Sequence, residues 1–106
     1  MENSRLTMQI AEIVNIIIEQ YGPVEKILLF GSHARNDADK YSDIDLIIIK
    51  KTGKPFVRRL VDAPLLPVQA DVFVYTPEEF ASMKENENPF IMNALKSAKI
   101  LYERTA

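Results

Sequence analysis

Three aspartates stand where a chain usually keeps hydrocarbon. Asp43 and Asp45 open the run SDIDLIII, and Asp71 interrupts VQADVFVY. In an extended strand alternate side chains share a face, so Asp43 and Asp45 point the same way, about 6.5–7 Å apart. Two carboxylates aligned at the start of a core strand repel each other and resist desolvation. A divalent cation between them relieves both problems, and hard oxygen ligands of this kind suit magnesium or manganese. Sites for phosphoryl and nucleotidyl transfer often use two such ions about 3.5–4 Å apart, one for the attacking oxygen and one for the leaving phosphate. If the strand of Asp71 neighbours that of Asp45, the third carboxylate joins the same centre. It could then orient or deprotonate an attacking hydroxyl. Each part also has a plainer explanation. A D-x-D pair can mark a solvated strand start, and Asp71 can be an edge-strand residue or a buried partner of Arg58 or Arg59.

Upstream, the apolar ILLF stops at Gly31-Ser32. A strand that turns there into a short helix leaves backbone N–H groups unsatisfied, and such groups bind anions. Glycine lets a phosphate approach the backbone, and the serine hydroxyl adds a donor. The competing explanation is a plain strand-to-helix turn with Ser32 as N-cap.

The elements that must hold these residues follow from apolar spacing. Leu6, Ile10, Ile13, Val14, Ile17 and Tyr21 fall at helical intervals over about residues 5–20, with Ser4 as a candidate N-cap and Gly22-Pro23 as the stop. Val24 to Phe30 reads as a strand, residues 33–38 as a short helix, and Asp43 to Ile49 as a strand apolar on both faces, hence central. Lys50 to Lys54 is a loop, Pro55 to Val61 a short helix, and Val68 to Tyr75 a third strand. Thr76-Pro77-Glu78-Glu79 carries a capping box and a proline at the first helical position. Asn88-Pro89 starts a closing helix whose stripe Ile91, Ala94, Leu95, Ala98, Leu101 and Tyr102 runs almost to the end. The fold class is α/β (α+β): one mixed central sheet of three or more strands flanked by helices, in a single domain over residues 1–106.

The stretch FGSHARNDADKYSDIDL, with Gly31-Ser32 set ten residues before Asp43-Ile44-Asp45, resembles the signature of the DNA polymerase β-like nucleotidyltransferases. It looks most like the minimal nucleotidyltransferases of bacteria and archaea, one-domain proteins encoded beside a HEPN-domain partner. The resemblance covers most of the chain, including Asp71 and the closing NPFIMNALKSAKILYE segment. It implies a palm-like fold in which Asp43 and Asp45 hold two Mg2+ ions and the triphosphate of ATP. It implies that Asp71 is the third metal-binding carboxylate and activates the acceptor hydroxyl, and that Gly31 and Ser32 contact the β- and γ-phosphates. In relatives paired with toxins, AMP passes from ATP to a tyrosine hydroxyl of a HEPN ribonuclease, which silences it. The family usually has glycine after Ala34-Arg35, and here Asn36 stands there. Asparagine tolerates a left-handed backbone, so the turn can survive. Arg35 is read as a structural ion-pair residue, and His33, the sole histidine, as a solvated neighbour of Ser32. Ser42 can hold the start of the second strand, with Lys40 exposed before it.

Composition narrows the alternatives. Net charge is −2, which gives no support for a bulk nucleic-acid binder, so contact with RNA is expected only through a partner. The local cluster Lys50, Lys51, Lys54, Arg58 and Arg59 reads as a solvated loop face. Cysteine is absent, which excludes a disulfide framework and a thiol nucleophile. Neither a signal peptide nor a membrane span is legible, so the expected place is the cytoplasm. Broad apolar faces on the first and last helices suggest a homodimer or hetero-oligomer. The competing functions are a non-catalytic antitoxin that neutralises a partner by contact, and a free-standing nucleotidyltransferase acting on a small molecule or RNA. The latter has too little chain beyond the core for an acceptor site of its own.

Overall fold

A computed structural model describes residues 2–39 and 42–105, with side chains from Met8 onward, so the expectations for Lys40 and for the Leu6 side chain fall outside the described residues. The elements run α1 Glu2–Tyr21, β1 Lys26–Phe30, α2 Ser32–Arg35, β2 Ile44–Ile49, α3 Phe56–Asp62, β3 Ala70–Tyr75, α4 Pro77–Glu85, α5 Pro89–Leu95 and β4 Lys99–Glu103. Most boundaries fall within about two residues of those read from spacing. Ser4 is an exception, because α1 begins before it and Ser4 lies inside the helix.

The sheet has the order β3-β2-β1-β4. β1 is antiparallel to both β2 and β4, whereas β2 and β3 are parallel and joined through α3. Continuous apolar sequence in β1 and β2 is what a doubly covered pair of strands requires. Ile27, Leu29, Leu46 and Ile48 face α1, where they meet Ile13, Ile17 and Tyr21. Leu28, Phe30, Ile47 and Ile49 face the other way, against Phe80 of α4 and Ile91 and Ala94 of α5. α4 begins with the expected capping box: Glu79 N–H donates to the Thr76 hydroxyl at 3.1 Å, and Thr76 N–H donates to the Glu79 carboxylate at 2.8 Å. Asn88 caps α5 in the same position relative to its proline, accepting from Ile91 N–H at 3.2 Å.

The closing helix is shorter than its apolar stripe. α5 ends at Leu95, and residues 99–103 become a fourth strand on the free edge of β1. Ile27 pairs with Tyr102 and Leu28 with Ile100, so Leu101 is the extra residue of a bulge. A bulge breaks strict alternation. It lets both Leu101 and Tyr102 pack with the α1-side core, a consecutive apolar pair that also satisfies helical spacing.

The basic cluster divides: Lys51, Lys54 and Arg58 are exposed as expected of a solvated face, whereas Lys50 is half-buried and Arg59 is buried. Lys50 donates to Tyr21 C=O at 2.7 Å and lies 3.8 Å above the Tyr21 ring. Lys54 and Arg58 both pair with Asp62. Arg59 is buried, 6 % exposed, and spans three elements. It donates to Lys54 C=O, to Val74 C=O on the outer edge of β3, and through both terminal nitrogens to Glu79. The edge that would otherwise offer free carbonyls is thereby partly closed.

Candidate active site

Gly31 begins the site. It follows the last residue of β1 with φ +77° and ψ −156°, a conformation essentially reserved for glycine. A Cβ at this position would run into the Asp45 carboxylate, so the turn and the acid are packed backbone against side chain. Gly31 is also the N-cap of α2, which places Ser32 inside the first turn rather than at its cap. The helix closes at Asn36, which takes the left-handed conformation its side chain tolerates, with φ 63° and ψ 27°.

Asp45 is the second residue of β2 and the register partner of both Phe30 and Asp71. Asp43 sits just before the strand and is exposed. By alternation Asp43, Asp45 and Asp71 share the sheet face covered further along by α4 and α5. Asp71 is exposed on the edge strand β3; it is not a buried partner of Arg58 or Arg59, whose carboxylates are Asp62 and Glu79. Burial pushes the Asp45 carboxyl above the usual range, and the negative charge of Asp71, a hydrogen bond to Asp71 and the charge of Asp43 push it the same way. His33 opposes the shift. The cluster is therefore a concentration of negative charge at the end of the sheet that His33 offsets only in part. Among the described residues, no three His, Cys, Asp or Glu side chains converge as a ready-made metal centre. The donor chemistry nevertheless fits a hard divalent cation: carboxylate oxygens only, from adjacent strands, with mutual repulsion that such an ion offsets.

His33 is not a solvated surface residue. Its Nε2 lies 3.0 Å from Ser42 C=O, and since a carbonyl only accepts, Nε2 carries the proton. Nδ1 is buried without a hydrogen-bond partner. This bond ties the glycine-serine turn to the segment that leads into Asp43, across nine residues of chain. Residue type and spacing gave no sign of it, because it depends on how the intervening loop folds back. Arg35 pairs with Asp37 at 3.1 Å, both exposed, rather than with a core carboxylate. Ser42 closes a local turn with Asp39, consistent with holding the start of β2.

Residues 12–106 match the family described as Polymerase beta, Nucleotidyltransferase. A Methanocaldococcus jannaschii protein named "putative protein adenylyltransferase" is 33% identical over 94 residues, covering 88% of this chain and 94% of that one. Among solved structures, a "putative nucleotidyltransferase" from Sulfolobus solfataricus superposes with a TM-score of 0.67 at 22% identity, over 96% of this chain and 86% of that one. A "toxin-antitoxin with AMP-PNP" superposes with a TM-score of 0.60 at 14% identity, over 91% and 74%. At these identities the two structures share the fold.

Proposed function

The chain belongs to the polymerase β nucleotidyltransferase family, and from that premise we propose that it is a Mg2+-dependent protein adenylyltransferase, the antitoxin of a pair, that moves AMP from ATP to a hydroxyl of a HEPN ribonuclease toxin. The observation that carries the reading is the apposition of Gly31, Asp45 and Asp71, from three neighbouring strands, at one end of the sheet. The M. jannaschii relative's name supports the protein acceptor, and the toxin-antitoxin neighbour supports a toxin as that acceptor.

The tasks then divide among the residues. Gly31 and Ser32 hold the β- and γ-phosphates, the part that leaves. Asp43, Asp45 and Asp71 are the oxygen donors that would hold two magnesium ions, which supply charge neutralisation along the triphosphate. Asp71, exposed on the edge strand, can be reached by a hydroxyl from outside and takes its proton. The hydroxyl oxygen bonds to the α-phosphorus, the bond from that phosphorus to the β-bridging oxygen breaks, and pyrophosphate departs. His33 keeps the phosphate half and the carboxylate half in register through Ser42.

The test is to incubate the protein with Mg2+, ATP and the product of the adjacent gene, then weigh the intact partner. The expected result is one added adenylyl group and loss of toxicity, both absent for Asp43→Asn and Asp71→Asn. Neutralisation that persists in both variants with no added mass would establish the contact-only antitoxin instead.

A further inference from the structure

On the carboxylate face, just inside the acids, three phenylalanine rings meet. Phe73 and Phe90 have centroids 4.9 Å apart, Phe30 and Phe90 stand edge to face at 5.6 Å, and Phe30 and Phe73 are 6.0 Å apart. The sheet ties two of them to the site. Phe73 follows Asp71 by two residues, so it shares that face about 6.5–7 Å further along β3. Phe30 is the register partner of Asp45 and the chain neighbour of Gly31. Phe90 arrives from α5, whose start is fixed by Asn88 and Pro89.

The rings differ in exposure. Phe30 is sealed at 8 %, whereas Phe90 keeps 37 % of its surface open. The other large exposed apolar side chains are Met8 on α1, Ile100 on β4, and Phe56, Val57, Leu60, Val61 and Leu65 of the α3 segment. Phe56, the other open aromatic ring, packs on Tyr75 at the opposite end of β3 from Asp71. Phe90 is thus an open aromatic group bordering the acids on the face they occupy. A nucleotide with its β- and γ-phosphates at Gly31-Ser32 and its α-phosphate at the aspartates must send its base onward from that point. Every base has a π-face, and an aromatic side chain beside the path offers the matching surface.

We infer that Phe90, backed by Phe73 and Phe30, is the seat of the nucleobase. The inference rests on the nucleotidyl-transfer reading and adds to it a base-binding surface. The test compares Mg2+-dependent binding of ATP and of inorganic triphosphate, by calorimetry, in the wild type, Phe90→Leu and Phe90→Ala. Leucine preserves apolar bulk but not the flat face, and so separates stacking from folding. The wild type is expected to bind ATP about tenfold more tightly than triphosphate, the scale of one stacked base. Phe90→Leu should remove most of that difference and leave triphosphate binding unchanged, and Phe90→Ala should do the same. Equal weakening of both ligands, or ATP binding untouched by Phe90→Leu, overturns the inference. Equal wild-type affinity for ATP and triphosphate overturns the base seat alone. Binding of neither overturns the nucleotidyl-transfer reading with it.

Discussion

At the residue scale the site is built against stability. Asp45 holds its proton more tightly folded than unfolded, since burial and Asp71 disfavour its charge. A folded state that binds the extra proton gains stability as pH falls, and loses it as pH rises from the ordinary value of 3.8 through the raised one. Asp45→Asn removes that penalty. In metal-free buffer near neutral pH the variant should melt higher than the wild type, while transfer activity disappears. Thermal melts across pH check the sign, because the gain should shrink below the raised value. Gly31→Ala has the opposite character. It forces a Cβ into the Asp45 carboxylate at a positive φ, and should cost about 2 kcal/mol in urea unfolding together with the activity.

At the element scale the most consequential contact lies far from the chemistry. Arg59 on α3 joins the loop before it, the edge of β3 and the cap of α4 through Glu79. Arg59→Leu should cost about 2–4 kcal/mol, near the low end for breaking a buried pair because Glu79 can turn to water. Arg59→Lys should recover little, since one ammonium cannot replace a two-pronged contact. The hydrogen bond from Arg59 holds the Glu79 carboxyl below its ordinary 4.5. Its contribution is therefore complete above 4.5 and is lost as pH falls through the depressed value. Glu79→Gln should lower stability at neutral pH and flatten the acid limb of the unfolding profile. Neither partner was legible beforehand. The basic cluster reads as one solvated patch in sequence, and only the packing of α3 on β3 singles out Arg59 for burial against Val74 and Glu79. β4 shows the same blindness. Ala98, Leu101 and Tyr102 satisfy a helical stripe, and what decides against it is the free edge of β1, a partner far outside any local window.

At the scale of the whole molecule, the fold and the site differ in how much they owe to local signals. Strands β1 to β3 follow from the runs ILLF, LIII and VFVY, and α4 from its capping box. The grouping of Gly31, Ser32, Asp43 and Asp45 was foreseeable, because turn and alternation are local; Asp71 joins them only through the parallel pairing of β2 with β3, which the sequence left conditional. The tie from His33 to Ser42 and the aromatic wall under Phe90 were not foreseeable, because each needs two segments to meet. Among the described residues no helix is long and apolar enough to cross a membrane. The apolar face of α1 is largely taken up by the core, with Ile10, Val14 and Ile18 packed against it. Since ligand binding to the folded state alone adds RT ln(1 + [L]/Kd), Mg-ATP at a hundredfold excess over Kd should stabilise the protein by about 2.7 kcal/mol. Calcium-free, magnesium-free ATP should do much less, and Asp43→Asn should respond weakly to either. On this reading, these residues transfer the adenylyl group itself. That transfer is tested most directly by supplying ATP labelled at the α- or the γ-phosphate, with Mg2+ and the neighbouring gene product. Label should enter the partner from the α-position alone and vanish with Asp45→Asn and Asp71→Asn. Label entering from the γ-position, or α-label transfer that survives both variants, would contradict it.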